Sequence, residues 1–190
     1  MNYDDFRRLI SVIEDPADGL HLETRYEYDT NGNLRHIYDP KNNHIEYVYD
    51  ALNRKTQHIQ HKSGGNLTVK YEYDGNGNLT TMTDAKGEEF SYTYYELDRQ
   101  EKIMYPDVDV PYIEIVSVTT TYDENNNIKT VTENKSGIVD IVDDDVTTNT
   151  YDDFDRLDYT TQRGLFVDYD YDKNGNRTLV STSHGETTCL

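Results

Sequence analysis

Hydrophobic and polar positions alternate with a period of two along most of this chain. In residues 22–28, leucine, threonine and tyrosine take every second position, and glutamate and arginine take the positions between them. Residues 67–73 and 165–171 alternate in the same way. A period of two is typical of β-strands that have one apolar and one solvated face. The pattern therefore predicts an all-β chain whose strands each bury one face.

Each alternating segment ends in a Tyr-Asp pair that is followed by turn-forming residues. Asn-Gly follows at 31–32, 76–77 and 174–175 and supplies the positive φ that a tight hairpin needs. The aspartate carboxylate can accept hydrogen bonds from backbone N–H groups of such a turn. Further turns are expected at 39–42, 63–66, 84–87 and 163–164. The unit is thus strand, turn, strand, turn, and roughly sixteen strands are expected in all.

The Tyr-Asp pair recurs eight times, with Tyr95 in place of the aspartate in one copy. The copies alternate between an Asn form, which continues with Asn-Gly-Asn or Asn-Asn-Asn, and an Arg form, which continues with an apolar residue, any residue and arginine. Residues 1–190 are therefore interpreted as a single array of about eight hairpins. We predict a structural role for the motif residues Tyr28, Asp29, Gly32, Asn33, Tyr49, Asp50, Arg54, Tyr73, Asp74, Gly77, Asn78, Tyr94, Arg99, Tyr122, Asp123, Tyr151, Asp152, Arg156, Tyr171, Asp172, Gly175 and Asn176.

Three segments depart from this pattern. Phe6, Leu9, Ile10 and Ile13 have helical spacing, but their counterparts in other copies do not, so the segment is interpreted as a strand. Residues 104–114, with two prolines, and the acidic residues 140–145 are predicted to be loops, the second ending in solvated charges.

The charge of the chain restricts its partners. Thirty-seven acidic and 18 basic residues give a net charge of −19, which repels phosphate, so neither nucleic acid nor an anionic membrane is an expected partner. No apolar run approaches the ~20 residues of a membrane span. A single cysteine, Cys189, excludes an intramolecular disulfide. The chain starts inside a repeat, so we expect it to be a fragment of a larger protein.

The sequence does not predict catalytic residues, a metal site or a cofactor. Asp-x-Asn-Gly-Asn at 29–33 resembles the start of an EF-hand loop, but that loop needs glycine at position six and glutamate at twelve, where Leu34 and Pro40 stand. His58 and His61 are three residues apart and would face opposite sides of a strand. No serine has the sequence context of a nucleophile elbow.

Tyrosine supplies most of the aromatic surface, with 18 tyrosines, four phenylalanines and no tryptophan. A stripe of exposed tyrosines could stack on sugar rings, which makes a carbohydrate-binding surface the main alternative function. The competing interpretation is that the tyrosines stabilise the sheet by cross-strand pairing. The candidate glycan-stacking residues are Tyr26, Tyr47, Tyr71, Tyr92 and Tyr169.

The segments Tyr26-Glu-Tyr-Asp-Thr-Asn-Gly-Asn-Leu34 and Tyr47-Val-Tyr-Asp-Ala-Leu-Asn-Arg54 resemble the YD or Rhs repeat family, and the resemblance extends over the chain. It implies one long curved or spiralling sheet, part of a shell that encloses a toxic domain or serves as an extracellular scaffold. It also implies a secreted or cell-surface location, with further YD repeats or a toxin domain of the parent protein as partners. The family's self-cleavage motif is not matched: Asp15-Pro-Ala-Asp-Gly-Leu20 has one residue too many and fits a turn.

The sequence thus favours a non-catalytic structural segment. A β-propeller-like array is the alternative fold, because two units span 45 residues between Tyr28 and Tyr73, which is the length of a four-stranded blade. Open strand edges also predict self-association through edge pairing.

Overall fold

The computed structural model of the chain describes residues 1–14, 19, 21–106, 114–136 and 145–188. Most of the Asp-Pro segment at 15–20, most of the two predicted loops at 104–114 and 140–145, and Cys189 lie outside the described residues. Residues 1–90 form one compact unit, unit 1, and residues 91–190 form another, unit 2.

Both units consist of β-strands, and the one helical segment in the described residues is a short 3-10 turn at Glu96–Asp98. Unit 1 contains β1 (Asn2–Tyr3), β2 (Leu9–Glu14), β3 (Leu22–Tyr28), β4 (Leu34–Tyr38), β5 (His44–Tyr49), β6 (Lys55–His61), β7 (Leu67–Tyr73), β8 (Leu79–Thr83) and the start of β9 (Glu89–Tyr94). Unit 2 contains the rest of β9, β10 (Gln100–Met104), β11 (Glu114–Tyr122), β12 (Ile128–Ser136), β13 (Asp145–Tyr151), β14 (Leu157–Gln162), β15 (Leu165–Tyr171), β16 (Arg177–Thr182) and β17 (Gly185–Thr188).

Each strand pairs antiparallel with the strand that follows it, from β1 to β8 in unit 1 and from β9 to β17 in unit 2. The predicted all-β array of hairpins is therefore confirmed. The eight strands of unit 1 continue without a break after four, which argues against the propeller-like alternative. Residues 9–14 form β2, so the segment with helical spacing is a strand, as interpreted.

Seven of the eight repeat turns, all except that of Tyr95, share one backbone geometry, a three-residue loop. In the first Asn-form turn, the N–H of Asp29 donates to the Asn33 carbonyl at 2.9 Å and the N–H of Gly32 donates to the Asp29 carbonyl at 3.1 Å. Gly32 has a φ of 89°, which is a conformation that glycine adopts without strain. The equivalent residue of the next turn is Asn53, with a φ of 62°. A type I turn followed by one left-handed residue is a common hairpin loop, and it creates a bulge.

The bulge lies at the same place in all eight hairpins. The tyrosine of each Tyr-Asp pair faces the sixth residue after it, as Tyr28 faces Leu34, whereas the preceding residue, Glu27, faces His36. One residue of the outgoing strand is thus left without a partner in the hairpin. These residues are Ile10, Arg35, Thr56, Thr80, Glu101, Lys129, Asp158 and Thr178.

At six junctions a tyrosine hydroxyl bridges the gap that the bulge creates toward the next hairpin. Between β4 and β5 the backbone pairing begins only at His36, after the bulge, so the Leu34 carbonyl has no strand partner there. The Tyr49 hydroxyl donates to that carbonyl at 2.8 Å. Five further junctions have the equivalent bond, at 2.7–3.0 Å, and its donors and acceptors are Tyr28 and Leu9, Tyr73 and Lys55, Tyr122 and Gln100, Tyr151 and Ile128, and Tyr171 and Leu157.

Neither unit buries a hydrophobic side chain within the described residues. The tyrosines of the motif are half-buried, except Tyr3, which is 57% exposed. The expectation of one buried face per strand is therefore wrong. Within each unit the main contacts between strands are those of neighbours in the sheet, so side chains on both faces are only partly covered.

We expect the substitution Tyr49→Phe to lower the stability of the chain, because it removes the hydrogen bond to the Leu34 carbonyl and keeps the ring. A bond of this kind contributes about 1 kcal/mol, which corresponds to a fall in Tm of about 2–4 °C for a chain of this size. The control is Tyr47→Phe, since the Tyr47 hydroxyl makes no hydrogen bond within the described residues. Equal changes in Tm for the two variants in a thermal melt would contradict the bridging role.

Candidate functional site in the repeat turns

The aspartate of each Tyr-Asp turn accepts hydrogen bonds through both carboxylate oxygens. Asp50 Oδ1 accepts the backbone N–H groups of Leu52 and Arg54, each at 2.9 Å. Its Oδ2 accepts the Arg54 Nε–H at 2.7 Å. In the Asn form the amide of Asn33 replaces the guanidinium and donates to Asp29 Oδ2 at 2.9 Å. Both carboxylate oxygens are thus engaged inside their own turn.

These bonds lower the pKa of the turn aspartates. For Asp50, the main cause is the backbone N–H of Arg54, followed by the side-chain bond from Arg54. For Asp29, the main cause is the side-chain amide of Asn33, followed, against a smaller opposing effect of burial, by backbone N–H bonds. A carboxylate held ionised and fully bonded is a poor candidate for a general acid or a nucleophile, because it has no accessible proton and no free oxygen.

The arginine of the Arg form also contacts the next hairpin. The Arg54 Nη1 donates to the backbone carbonyl of Asp74 at 2.9 Å, and its guanidinium carbon lies 4.8 Å from the centre of the Tyr73 ring. Arg156 repeats this arrangement against Asp172 and Tyr171, at 3.4 and 4.4 Å. Each arginine therefore joins its own turn to the following Asn-form turn through an ion pair, a hydrogen bond and a cation–π contact.

The Asn form makes the complementary contact in the opposite sense. The side-chain amides of Asn31 and Asn33 both donate to Asn53 Oδ1, at 3.0 and 2.8 Å. In unit 2, Asn125 and Asn127 both donate to Asp155 Oδ1. The acceptor is in each case the left-handed residue of the next Arg-form turn. The sequence predicts the alternation of forms but not the acceptors, which become visible only when the turns are placed side by side.

The turn that contains Tyr95 lacks the aspartate, and its arginine shows the consequence. The Nε of Arg99 is buried and has no hydrogen-bond partner in the described residues. Leu97 and Asp98 both have positive φ angles, 66° and 58°. A leucine in the left-handed region is strained, so this turn is less well formed than its counterparts.

The candidate glycan-stacking tyrosines Tyr26, Tyr47, Tyr71, Tyr92 and Tyr169 are all half-buried. The Lys55 ammonium lies 4.2 Å from the centre of the Tyr47 ring, and the Arg177 guanidinium carbon lies 4.5 Å from the centre of the Tyr169 ring. A sugar would have to displace these cations or use the opposite ring face. Glycan stacking therefore stays a prediction that this geometry does not favour.

The sequence predicts that the acidic segment 140–145 ends in solvated charges, but Asp145 at its end is buried. It begins β13, is 8% exposed, and forms ion pairs with Lys135 and Arg163. Hydrogen bonds from Arg163 and then from Lys135 lower the pKa of Asp145. The prediction of a solvated end is wrong for Asp145, because Lys135 on the neighbouring strand β12 and Arg163 in a hairpin turn form ion pairs with it.

Within the described residues, groups of three or more histidine, cysteine, aspartate or glutamate side chains that could hold a metal ion are absent. In the same part of the chain, no helix is long and apolar enough to cross a membrane. His58 lies against the Tyr47 ring and His61 stacks on His44, so the two histidines face opposite sides, as expected.

Comparisons with known proteins identify the repeat and the fold. Residues 28–66, 59–89 and 73–101 match the family model described as RHS Repeat. A search of curated proteins gives no match to this sequence. Among solved structures, the chain resembles TcdB2-TccC3-Cdc42 with a TM-score of 0.73 at 17% identity over 86% of this chain. It resembles TcdB2-TccC3-TEV with a TM-score of 0.72 at 15% identity over 96% of this chain.

The Photorhabdus luminescens Tc holotoxin pore is a third similar structure, with a TM-score of 0.68 at 18% identity over 88% of this chain. The matched regions are 9%, 11% and 9% of those chains, so this chain spans about a tenth of their length. At such identities the likeness shows a shared fold. The repeat itself is shown by the family match and by copies of the same motif on both sides of it. Residues 28–101 therefore carry RHS repeats, and the motif copies outside them extend the resemblance to the YD or Rhs repeat family over the chain.

Proposed function

We propose that this chain is a non-catalytic structural segment of the shell or scaffold of a secreted or cell-surface toxin-type protein. One observation carries the proposal: the side chains that define the repeat bond to their own turn or to the next hairpin. In the Asp50 turn, both carboxylate oxygens are bonded locally, and Arg54 directs its Nη1 and its guanidinium face at the following hairpin. Repeat side chains that are bonded in this way hold neighbouring hairpins together and are not available for catalysis.

The likeness to Tc toxin structures supports the toxin-type setting of this proposal. In those structures the matched region is about a tenth of a much longer chain, so further repeats or a toxin domain are the proposed partners here. Self-association through strand edges is a further proposed partnership, and light scattering over a range of concentrations would test it.

Fractionation of the producing cells tests the proposed setting. An antibody raised against residues 1–190 should detect a product longer than this chain, in the culture medium or on protease-accessible cell surface. A product of any length that is confined to the cytosol and protected from protease would contradict the proposed location. An antibody against a known cytosolic protein provides the control for lysis.

If the repeat side chains are structural, restoring the missing aspartate should stabilise the chain. The variant Tyr95→Asp places a carboxylate where it can accept the N–H groups of Leu97 and Arg99 and pair with the unpartnered Arg99 Nε. It also removes the edge contact of Tyr95 with Tyr122, whose ring centres are 6.3 Å apart. Hydrogen bonds to a charged group outweigh such a contact by roughly 1 kcal/mol, so Tm should rise by about 2–4 °C.

The control is the same substitution in an Arg99→Gln background. There the gain in Tm should shrink, because the guanidinium partner is gone while the backbone donors remain. An unchanged or lower Tm for Tyr95→Asp in the wild-type background would show that the aspartate is not what stabilises these turns.

Acid should destabilise the fold through the turn aspartates. Nine of them in the described residues have a lowered pKa, namely Asp4, Asp29, Asp39, Asp50, Asp74, Asp84, Asp123, Asp152 and Asp172. A lowered folded-state pKa means that the unfolded chain binds more protons. Stability is therefore complete above the ordinary value and is lost as the pH falls from about 5 toward the lowered values.

Urea titrations at pH 7, 5, 4 and 3.5 would measure this loss of unfolding free energy. The variant Asp152→Asn should weaken the pH dependence, because the side-chain bond from Arg156 is the main cause that lowers the pKa of Asp152. Asp153→Asn is the matched control, since Asp153 is the exposed neighbour in the same turn. The interpretation fails if the two variants show the same pH dependence.

A further inference from the structure

A column of stacked side chains crosses β3 to β6 of unit 1, on the face opposite Tyr26 and Tyr47. The Arg25 guanidinium carbon lies 5.0 Å from the centre of the Tyr38 ring. The Tyr38 and His44 ring centres are 4.6 Å apart with planes at 10°, and the His44 and His61 centres are 4.2 Å apart with planes at 5°. Each contact joins residues directly opposite each other on neighbouring strands. We call these four residues the histidine column.

A third histidine, His36, contacts this column. The Nδ1 of His36 lies 2.7 Å from the Nε2 of His44, and the rings are tilted rather than stacked. At this distance one nitrogen donates and the other accepts, so at least one of the two imidazoles must be neutral. Protonation of both would turn the hydrogen bond into a contact between two donors that both carry positive charge.

The charged groups around the three histidines are of both signs. The Nε2 of His61 lies 3.1 Å from Glu46 Oε2, and the Arg35 guanidinium is 4.0 Å from Glu46 Oε1. Glu27 lies opposite His36 on β3, and Arg25 ends the column. His61 stacks directly on His44, so charges on both rings would repel each other.

Burial is the main cause that lowers the pKa of His44, and the charges of His61 and His36 lower it further, while Glu46 and Glu27 oppose the shift. For a base with a lowered folded-state pKa, stability is complete above the ordinary value and is lost as the pH falls below it. A metal is a poorer fit for this cluster, because the His44 and His61 rings are parallel and their nitrogen lone pairs do not converge.

We propose that the histidine column and His36 form an acid-sensitive switch that loosens β4, β5 and β6 below about pH 6.5. The loss begins with the bond between His36 and His44, and it precedes the loss of charge at the turn aspartates. Unit 1 would then respond to mild acid, whereas the repeat turns respond only to stronger acid. The two responses occupy separate pH ranges and can be measured independently.

Native-state hydrogen exchange of the whole chain at pH 7.5 and 5.5 tests the proposal, after correction for intrinsic exchange rates. Protection of amides in β4–β6 should fall, by up to about tenfold, because pH 5.5 lies about one unit below the ordinary pKa of histidine. Protection of amides in β15 and β16 of unit 2 should not fall. Unchanged protection in β4–β6, or an equal loss in both units, would overturn the proposal.

Three glutamine variants identify the groups responsible. His44→Gln keeps a polar side chain without a titrating charge, so protection in β4–β6 should become the same at both pH values. His36→Gln should reduce the loss only in part, because burial and the charge of His61 still lower the pKa of His44, and it serves if His44→Gln does not fold. His58→Gln, on the opposite face of β6 against Tyr47, should keep the wild-type loss. A loss that keeps its full wild-type size in the His44 and His36 variants would also overturn the proposal.

Discussion

The hydrogen bond from a tyrosine hydroxyl to a carbonyl of the preceding hairpin is the interaction on which the rest of the structure depends. Strand pairing between hairpins stops at each bulge, and the hydroxyl spans the resulting gap, as Tyr49 does to Leu34. A sheet without buried hydrophobic side chains in its described residues cannot rely on a core to hold its strands in register. The position of each hairpin against the next is instead fixed by directional polar bonds, which have one correct alignment.

Much of the fold follows from the sequence, because strands and turns are encoded locally. Alternation predicts the strands, and glycine or asparagine at the left-handed position predicts five of the eight repeat turns, the others having Arg7, Asp98 or Asp155 there. The bulge could not be predicted, since residues as different as Ile10, Arg35 and Thr56 occupy it and only the loop geometry creates it. The burial of Asp145 was missed for a related reason: Lys135 and Arg163 come from distant parts of the sequence.

The residues of the candidate site could be predicted from the sequence, but the partners that they contact could not. The motif residues stand out by repetition, yet their partners lie one hairpin away, at offsets that depend on the bulge. Arg54 reaches the carbonyl of Asp74, and Asn31 and Asn33 reach Asn53. The two forms make different contacts: arginine provides a cation for a carbonyl and a ring, which the Tyr-Asp pair of either form offers, and asparagine provides amide donors for a side-chain oxygen. Two Asn-form turns side by side would leave those amides unmatched, because Gly32, Gly77 and Gly175 hold the left-handed position and have no side-chain oxygen.

This complementarity limits how such an array can change in length during evolution. Removal of one hairpin would bring two turns of the same form into contact, which would leave the asparagine amides without their acceptor or place two arginines in adjacent turns. Removal or duplication of two successive hairpins restores every junction with the same offset and the same partners. Viable insertions and deletions should therefore come in pairs of hairpins, and a junction with a degenerate turn, such as that of Tyr95 and Arg99, is where an unpaired change would be tolerated at least cost.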